Sequence, residues 1–464
     1  MKKTIKNTFC LVFFCFQLSF YTGIAQNTIP VFSNVKAVVD DKKREVRVFY
    51  DVTDKEDAFV NVNIELSDNG NLLTAKKLKG DVGTNVSIGT RKKIVWKYHK
   101  TTVPNTIKVT LKADDGKIFE VADLVKMVDT MRLKKSVAYL TSLKRNHNAE
   151  NKEELGKART YIKNMFTDNG VGFSIQDSVI SNRDLTMNLA EAYRDQRDLN
   201  DSIVYKLENI IGSIPGQKQN TNVLILGAHY DAVIGSPGAD DNASGLAGLL
   251  EVARILSKSS FKKQIQFACF DLEEAGFLGS KLYIYDDRNK MNNTVEAFIN
   301  YDMIGYYSDK DNTQYIPEGF DYLFPEAAAK VAANNYKGDF VIVTSNNNSG
   351  DVSDTFSTEA GKYVKQLNTV QLKIPDNGMT SGLLAAGDHS MFWANNVPAI
   401  HLGDGAPTRN RNYHGPDDKA KTLNYEFMGN IVKATIAALA KLAIIQNTAE
   451  YTIEVPPRVT ANFK

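Results

Sequence analysis

Apolar and polar residues alternate along the first quarter of the chain. Four short segments carry β-branched or aromatic residues at every second position or in small clusters, namely residues 44–52, 59–66, 92–98 and 106–113. This alternation predicts strands that bury one face. Several such strands in succession predict a β-sandwich of the immunoglobulin or fibronectin type over residues 27–120. A spacer and a binder of substrate or surfaces are both consistent with this region, and the lack of a recognisable exposed aromatic cluster favours the spacer.

The pattern changes to a period of three to four residues after this β-rich region. Residues 124–143 and 151–166 are predicted helices, and strands then alternate with helices up to a long closing helix at 425–445. Such alternation is typical of an α/β domain in which helices cover both faces of a mostly parallel mixed sheet. We place this domain at residues 125–448 and interpret residues 449–464 as a C-terminal tail.

The first residues differ from the rest of the chain. Lys2, Lys3 and Lys6 precede an apolar run over residues 9–20, and small residues follow near Ala25. This order predicts a secretory signal peptide at residues 1–25, because the apolar run is shorter than the roughly 20 residues that span a bilayer. We therefore expect export to the periplasm or the extracellular space, and no stable membrane span after cleavage.

Composition excludes one class of partner and supports a packed core. The 464 residues are 43% hydrophobic and carry a formal net charge of +2. Lysines and arginines are scattered rather than gathered into a basic face, so we expect no nucleic-acid partner.

Acidic residues follow three of the predicted core strands. His229 ends the strand at 222–229, and Asp231 comes shortly after it. Glu273 and Glu274 follow the strand at 264–270, and Asp302 follows the next strand. Carboxyl ends of parallel strands meet at one edge of a sheet, where ligands bind.

A loop adds two adjacent carboxylates, Asp240 and Asp241, to the same predicted region. Like charges gathered in this way require a positive partner. Histidine with carboxylate ligands suits zinc, and a bridging carboxylate suits two zinc ions about 4 Å apart. A second histidine ligand is needed, and spacing alone does not choose between His389, His401 and His414. His99 and His147 are not expected to be ligands, and His147 is expected at an exposed helix end.

Six ordered motifs carry a resemblance to a known family. They are residues 209–216 (NIIGSIPG), 227–233 (GAHYDAV), 238–245 (GADDNASG), 270–280 (FDLEEAGFLGS), 299–306 (INYDMIGY) and 413–418 (YHGPDD). Together they resemble the co-catalytic dizinc aminopeptidase family, which includes bacterial leucyl aminopeptidases, aminopeptidase Y, glutamate carboxypeptidase and the glutaminyl cyclases. The resemblance spans roughly residues 125–445 and implies the zinc-exopeptidase type of α/β fold.

The resemblance assigns roles to matching positions. It implies Glu273 as the general base, and it implies as ligands of two Zn²⁺ per chain His229, Asp241, Glu274, Asp302 and His414, with Asp241 bridging the ions. Asp231 is expected to form a hydrogen bond with the His229 imidazole. Asp240 is then a neighbour and not a ligand.

The function implied is that of an exported aminopeptidase. Such an enzyme hydrolyses the N-terminal peptide bond of peptides with a free N-terminus through a metal-bridged hydroxide. The alternatives are a glutaminyl cyclase with one zinc ion, a glutamate-releasing carboxypeptidase and a catalytically inactive binding protein. The carboxypeptidase is disfavoured because the sequence shows no arginine cluster that would bind an acidic substrate. The segment 308–355, rich in Asp, Asn and Gly, is expected to form loops at the rim of the site, and the oxyanion donor stays open between Tyr306 and Tyr413.

Overall fold

The structure is a computed structural model that describes residues 29–455 except 41, 76, 99–105, 118–119, 182–203, 218–219, 287–293 and 380. The predicted signal peptide and His99 lie outside the described residues. The helices α1 to α10 are Val121–Lys126, Thr130–Thr141, Lys152–Asp168, Gly245–Leu256, Leu278–Tyr285, Phe320–Leu323, Pro325–Ala333, Gly350–Tyr363, His389–Ala394 and Tyr425–Leu442. The strands β1 to β19 are Val31–Asp40, Glu45–Thr53, Phe59–Asp68, Asn71–Leu73, Leu78–Gly80, Gly83–Ser87, Gly89–Lys97, Ile107–Asp114, Gly172–Ser181, Val204–Ile214, Asn222–His229, Ser260–Phe261, Gln264–Phe270, Thr294–Tyr301, Phe340–Ser345, Asn368–Lys373, Ala399–Gly403, Ile445–Gln446 and Ala449–Val455.

An eight-stranded mixed sheet forms the centre of the larger region, in the order β16-β15-β17-β14-β11-β13-β10-β9. The strands β13, β11, β14 and β17 run parallel, and antiparallel strands extend the sheet on both sides. The predicted fold class, a mostly parallel mixed sheet with helices, is confirmed.

Strand β11 explains why helices cover both faces of this sheet. Its residues are apolar and buried on both sides, as expected for a central parallel strand. Leu224 and Leu226 join a core with helices α2, α3, α4, α8 and α10, whereas Val223 and Ile225 join a second core with α5, α7 and α9. The alternation along one strand therefore builds two helix layers around the sheet.

The N-terminal region is all-β, as predicted. Strands β1, β2, β7 and β5 form one sheet, and β19, β8, β3 and β4 form a second, with β6 paired to β3. Side chains of both sheets form one core that includes Val48, Trp96, Val109 and Leu111. The domain limits themselves stay predictions.

Two segments differ from the sequence interpretation. Residues 449–455, interpreted as part of a tail, form β19, which pairs along its length with β8 of the N-terminal region. The segment 308–355, expected to form loops, contains helix α7 and strand β15 of the large sheet. In both cases a short strand pairs with a partner that is distant in sequence.

Helix length and composition also bear on the membrane question. Within the described part of the chain, no helix combines the length and the apolar character that crossing a membrane requires.

Candidate metal centre

Three parallel strands bring the predicted ligands to one edge of the sheet. His229 is the last residue of β11, and β11 lies between β13 and β14. Glu273 and Glu274 follow β13, and Asp302 follows β14 directly. Sequence-distant side chains therefore meet because their strands are neighbours with the same direction.

Asp241 reaches this edge from the irregular turn Ala239–Ser244 that precedes α4. The turn begins at Gly238, whose φ of 61° is left-handed and where a Cβ would lie 2.4 Å from the Asp241 carbonyl oxygen. Asn242 ties the turn to the end of β14, since its Nδ2 donates to the Tyr301 carbonyl at 2.8 Å. The backbone amides of Asp240 and Asp241 donate to the Asp418 carboxylate at 2.9 and 3.1 Å.

His414 completes the cluster from the segment before α10. Its Nε2 lies 3.1 Å from Oδ2 of Asp241 and 3.4 Å from Oε2 of Glu274. On the other side, His229 Nε2 lies 3.3 Å from Oδ1 of Asp241 and 3.5 Å from Oδ1 of Asp302. The two oxygens of Asp241 thus face two different imidazoles, which is the position expected of a carboxylate shared by two cations.

The cluster has the donors and the burial of a cation site. Both ring nitrogens of His229 and Oε1 of Glu274 are buried, and among the described residues they have no hydrogen-bond partner. Two groups of three side chains could each hold one ion, His229 with Glu273 and Asp302, and His229 with Asp241 and Glu274. Imidazole nitrogen with carboxylate oxygen is a donor set that zinc prefers, so the residues present fit zinc.

The electrostatics of the cluster lead to the same conclusion. Burial and the neighbouring charges of Asp302 and Glu274 raise the pKa of Glu273 well above its ordinary value. Burial and the charge of Asp241 raise the pKa of Glu274 to about 7. Burial alone would lower the pKa of His414, but Asp241 and Glu274 raise it to about 11. The raised pKa values of the glutamates and of His414 all favour the protonated forms. They share one cause, an excess of buried negative charge that a divalent cation would offset.

The hydrogen bond between Asp231 and His229 stays a prediction, because the two side chains lie close together but are not well aligned. Asp231 Oδ1 lies 3.3 Å from His229 Nδ1, but within the described structure that nitrogen lacks an aligned partner. The Asp231 carboxylate instead accepts the backbone N–H groups of Glu273 and Glu274 at 3.1 and 3.2 Å. Asp231 therefore fixes the turn that carries both glutamates.

The remaining described histidines form other contacts. His147 was expected at an exposed helix end, but it is buried and its Nε2 lies 2.8 Å from Oδ1 of Asp271. His389 and His401 line the cavity beside the cluster, but their rings pack against each other with centroids 4.8 Å apart. Of the open choices among the three histidines, the structure brings only His414 into the cluster.

A cavity of about 420 Å³ opens beside the cluster and is lined by Asp241, Glu273, Glu274, Asp302 and His414. Its floor is a row across the sheet, because His401 is in register with Thr344, and Thr344 with Leu372. The walls are apolar and include Phe320, Ile342, Leu383 and Leu384. Tyr413, one of the two candidate oxyanion donors, lines this cavity and stacks on His414 at 3.7 Å, whereas Tyr306 lines a neighbouring groove.

Sequence reasoning gave no role in the metal site to three residues near it. Asp418 and Asn242 lie inside the quoted motifs, and both hold the double-aspartate turn by hydrogen bonds to backbone groups. Asp388 is fully buried, and neither of its oxygens has a hydrogen-bond partner among the described residues. Burial raises its pKa to about 7.

The geometry agrees with a comparison of the chain with known families. A family model described as peptidase family M28 matches residues 209–439, which include all the predicted ligands and Glu273. Through this segment, the chain belongs to peptidase family M28. The resemblance carried by the six motifs is thereby confirmed, and so is the prediction that the chain is a metallopeptidase.

Individual proteins of this type match to different extents. The Uncharacterized protein YfbL of Escherichia coli (strain K12) is 29% identical over 329 residues, which cover 66% of this chain and 87% of that protein. Aminopeptidase YwaD of Bacillus subtilis (strain 168) is 38% identical over 110 residues, but the match covers only 24% of each chain. The solved glutaminyl cyclase of Macrostomum lignano matches with a TM-score of 0.51 and 15% identity, covering 71% of this chain and 95% of that one. This last likeness concerns the fold alone, which M28 peptidases share with a cyclase.

Proposed function

We propose that this M28 protein is an exported zinc aminopeptidase that holds two zinc ions. The observation that carries the proposal is the position of Asp241, whose two oxygens face His229 on one side and His414 on the other, at 3.3 and 3.1 Å. The similarity of one segment to aminopeptidase YwaD supports the substrate class. Export rests on the predicted signal peptide.

The proposed ligand set divides between the two sides of Asp241. His229 and Asp302 would hold one ion, and His414 and Glu274 would hold the other. Zinc in such a site lowers the pKa of a bound water and polarises the scissile carbonyl. The imidazoles and carboxylates of this chain would hold and orient the ions, and the apolar walls of the cavity would exclude bulk water from the bond to be cleaved.

Glu273 is proposed as the group that moves the proton. Its carboxylate lies 3.9 Å from His229 Nε2, lines the cavity and is only 8% exposed. A carboxylate in this position can accept a proton from the attacking water and pass it to the leaving amine.

Metal removal tests the proposal directly. Treatment with 1,10-phenanthroline is expected to abolish the hydrolysis of leucine p-nitroanilide, and added Zn²⁺, but not Mg²⁺, is expected to restore it, because imidazole ligands favour zinc. Elemental analysis of the active protein should give two zinc ions per chain. Full activity after chelation would contradict a metal-dependent mechanism.

The same protein preparation separates the peptidase from the cyclase alternative. Peptides with N-terminal glutamine should release free glutamine, detected by chromatography, if the chain is an aminopeptidase. Accumulation of pyroglutamyl peptides, together with one zinc ion per chain, would instead identify a cyclase.

The cavity predicts the N-terminal residue that the enzyme prefers. Away from the proposed ligands and base, its lining within the described structure has no Asp, Glu, Lys or Arg, and burial lowers the pKa of His389 to about 4, so this imidazole is neutral. A charged side chain would therefore lose its hydration without gaining a partner. We expect kcat/KM for leucine, methionine and phenylalanine p-nitroanilides to exceed that for the glutamate and lysine derivatives by at least about 100-fold. Differences below tenfold would contradict this assignment of the cavity.

A further inference from the structure

A second, larger cavity continues from the first. This groove has a volume of about 1180 Å³ and shares Pro407 and Thr408 with the cavity at the metal centre. Tyr306, Tyr315 and Arg411 also line it. The two cavities therefore border each other at Pro407 and Thr408, so a ligand long enough to pass these two residues would reach the groove.

Arg411 is the available cation of this groove. Its side chain is exposed, and it forms no ion pair within 4.0 Å with any residue that the structure describes. Glu318 and Asp321 also line the groove, but neither pairs with it. The neighbouring Arg409 is only 4% exposed and is committed to internal contacts, since its Nη1 donates to the Phe340 carbonyl at 2.8 Å.

The segment that carries Arg411 is held firmly beside the metal centre. Asn410 Nδ2 donates to Oδ2 of Asp240 at 2.7 Å, and the backbone amides of Asn412 and Tyr413 donate back to Asn410 at 3.0 and 3.3 Å. Arg411 thus projects from a turn that is fixed on both sides.

Chain geometry limits the separation between Arg411 and the site. Three steps of 3.8 Å between consecutive Cα atoms place the Cα of Arg411 within about 11 Å of that of His414. An extended peptide advances about 3.4 Å per residue, so a carboxylate one or two residues beyond the scissile bond lies roughly 3–7 Å farther along the chain. This upper limit is compatible with a contact between the Arg411 guanidinium and the C-terminus of a dipeptide or tripeptide.

We propose that Arg411 binds the free C-terminal carboxylate of dipeptides and tripeptides whose N-terminal residue occupies the metal-centre cavity. The proposal rests on the proposed aminopeptidase function and narrows its substrate class to short peptides. A guanidinium suits this task because it offers two parallel N–H groups to the two oxygens of a carboxylate. Arg411 would act as a specificity residue and take no part in the chemical step.

The test compares substrates that differ only at the C-terminus. Leucyl-leucine and leucyl-leucine amide are assayed with the wild-type protein and with Arg411→Gln and Arg411→Lys. The ratio of kcat/KM for the acid to that for the amide is expected to fall about tenfold in Arg411→Gln, the loss of one charge-assisted interaction. Arg411→Lys should retain part of the ratio, because it keeps the charge but not the paired N–H groups.

Arg91→Gln provides the matched control, since Arg91 is an exposed arginine of the N-terminal region, in strand β7. This variant should leave the ratio at its wild-type value. An unchanged ratio in Arg411→Gln would overturn the proposal, and so would a wild-type protein that favours the amide.

A binding measurement keeps this inference separate from the proposed function. If no peptide or p-nitroanilide is hydrolysed, the aminopeptidase proposal fails by itself. Calorimetry of zinc-loaded Glu273→Gln, with and without Arg411→Gln, still decides the role of Arg411. We expect leucyl-leucine to lose about tenfold in affinity on removal of the guanidinium, and the amide to lose far less. Equal losses for the two ligands would overturn the proposal.

Discussion

Replacement of Glu273 by Gln is expected to lower kcat for leucine p-nitroanilide by about 10³-fold, within the range that a general base contributes. Glutamine has nearly the same shape, but its amide cannot accept a proton from water. The zinc content, measured by elemental analysis, is expected to stay at the wild-type value, because the proposed ligand set does not include Glu273. The combination of lost turnover and retained metal distinguishes a base from a ligand.

That distinction matters here because distance alone does not separate the two roles. Glu273 is one of three side chains, with His229 and Asp302, that could together hold an ion. Loss of zinc in Glu273→Gln would make Glu273 a ligand, and near-normal turnover would exclude it as the base. Glu359→Gln is the matched control, since Glu359 is also 8% exposed but lies on helix α8, outside the cavity lining. It should leave both kcat and metal content unchanged.

The central strands of the fold could be predicted from sequence because each is recognisable from its own run of apolar residues. Strand β11 is apolar along nearly its whole length, and helix α4 that follows it is apolar except for Glu251 and Arg254, so both belong to a buried α/β core. Strands β9 and β19 were not predicted. Both are edge strands that leave alternate residues exposed, and such a pattern is readily taken for a loop or a tail.

The site could be predicted in part for a related reason. A carboxylate that directly follows a predicted core strand, such as Asp302, can be placed at the carboxyl edge of the sheet from the sequence alone. His414 comes from an irregular segment more than a hundred residues away from any strand-end ligand, so spacing could not select it from the other histidines, and only the motif resemblance did. Asn242 and Asp418 were given no role in the metal site, because their hydrogen bonds go to backbone groups that are distant in sequence and come close only in the folded chain.

Replacement of Asp241 by Ala is expected to remove zinc as well as activity. Both oxygens of Asp241 face imidazoles, so its loss would take one donor from each proposed ion. Although burial alone would raise the pKa of Asp241, His229 and His414 hold it below its ordinary value, so the wild-type side chain is a carboxylate and not an acid.

We expect fewer than two zinc ions per chain by elemental analysis and at least about a 10³-fold loss of kcat/KM, as for removal of an essential metal. Added zinc should raise the Tm of the wild-type protein but not that of the variant, because only bound metal stabilises the folded state.

The adjacent aspartate, Asp240, provides the matched control. Asp240 is also buried, but its oxygens accept hydrogen bonds from the Gly305 amide at 2.9 Å and from Asn410 Nδ2 at 2.7 Å. Burial and the neighbouring Asp404 raise the pKa of Asp240 well above the ordinary value, whereas His229 and His414 lower the pKa of Asp241. Asp240→Asn is therefore expected to keep both zinc ions and to lose stability by about 1–3 kcal/mol, because an amide replaces an oxygen that faces the amide of Asn410. Retention of two zinc ions in Asp241→Ala, or their loss in Asp240→Asn, would mean that the other aspartate of the pair is the shared ligand, and the arrangement proposed for the centre would have to be abandoned.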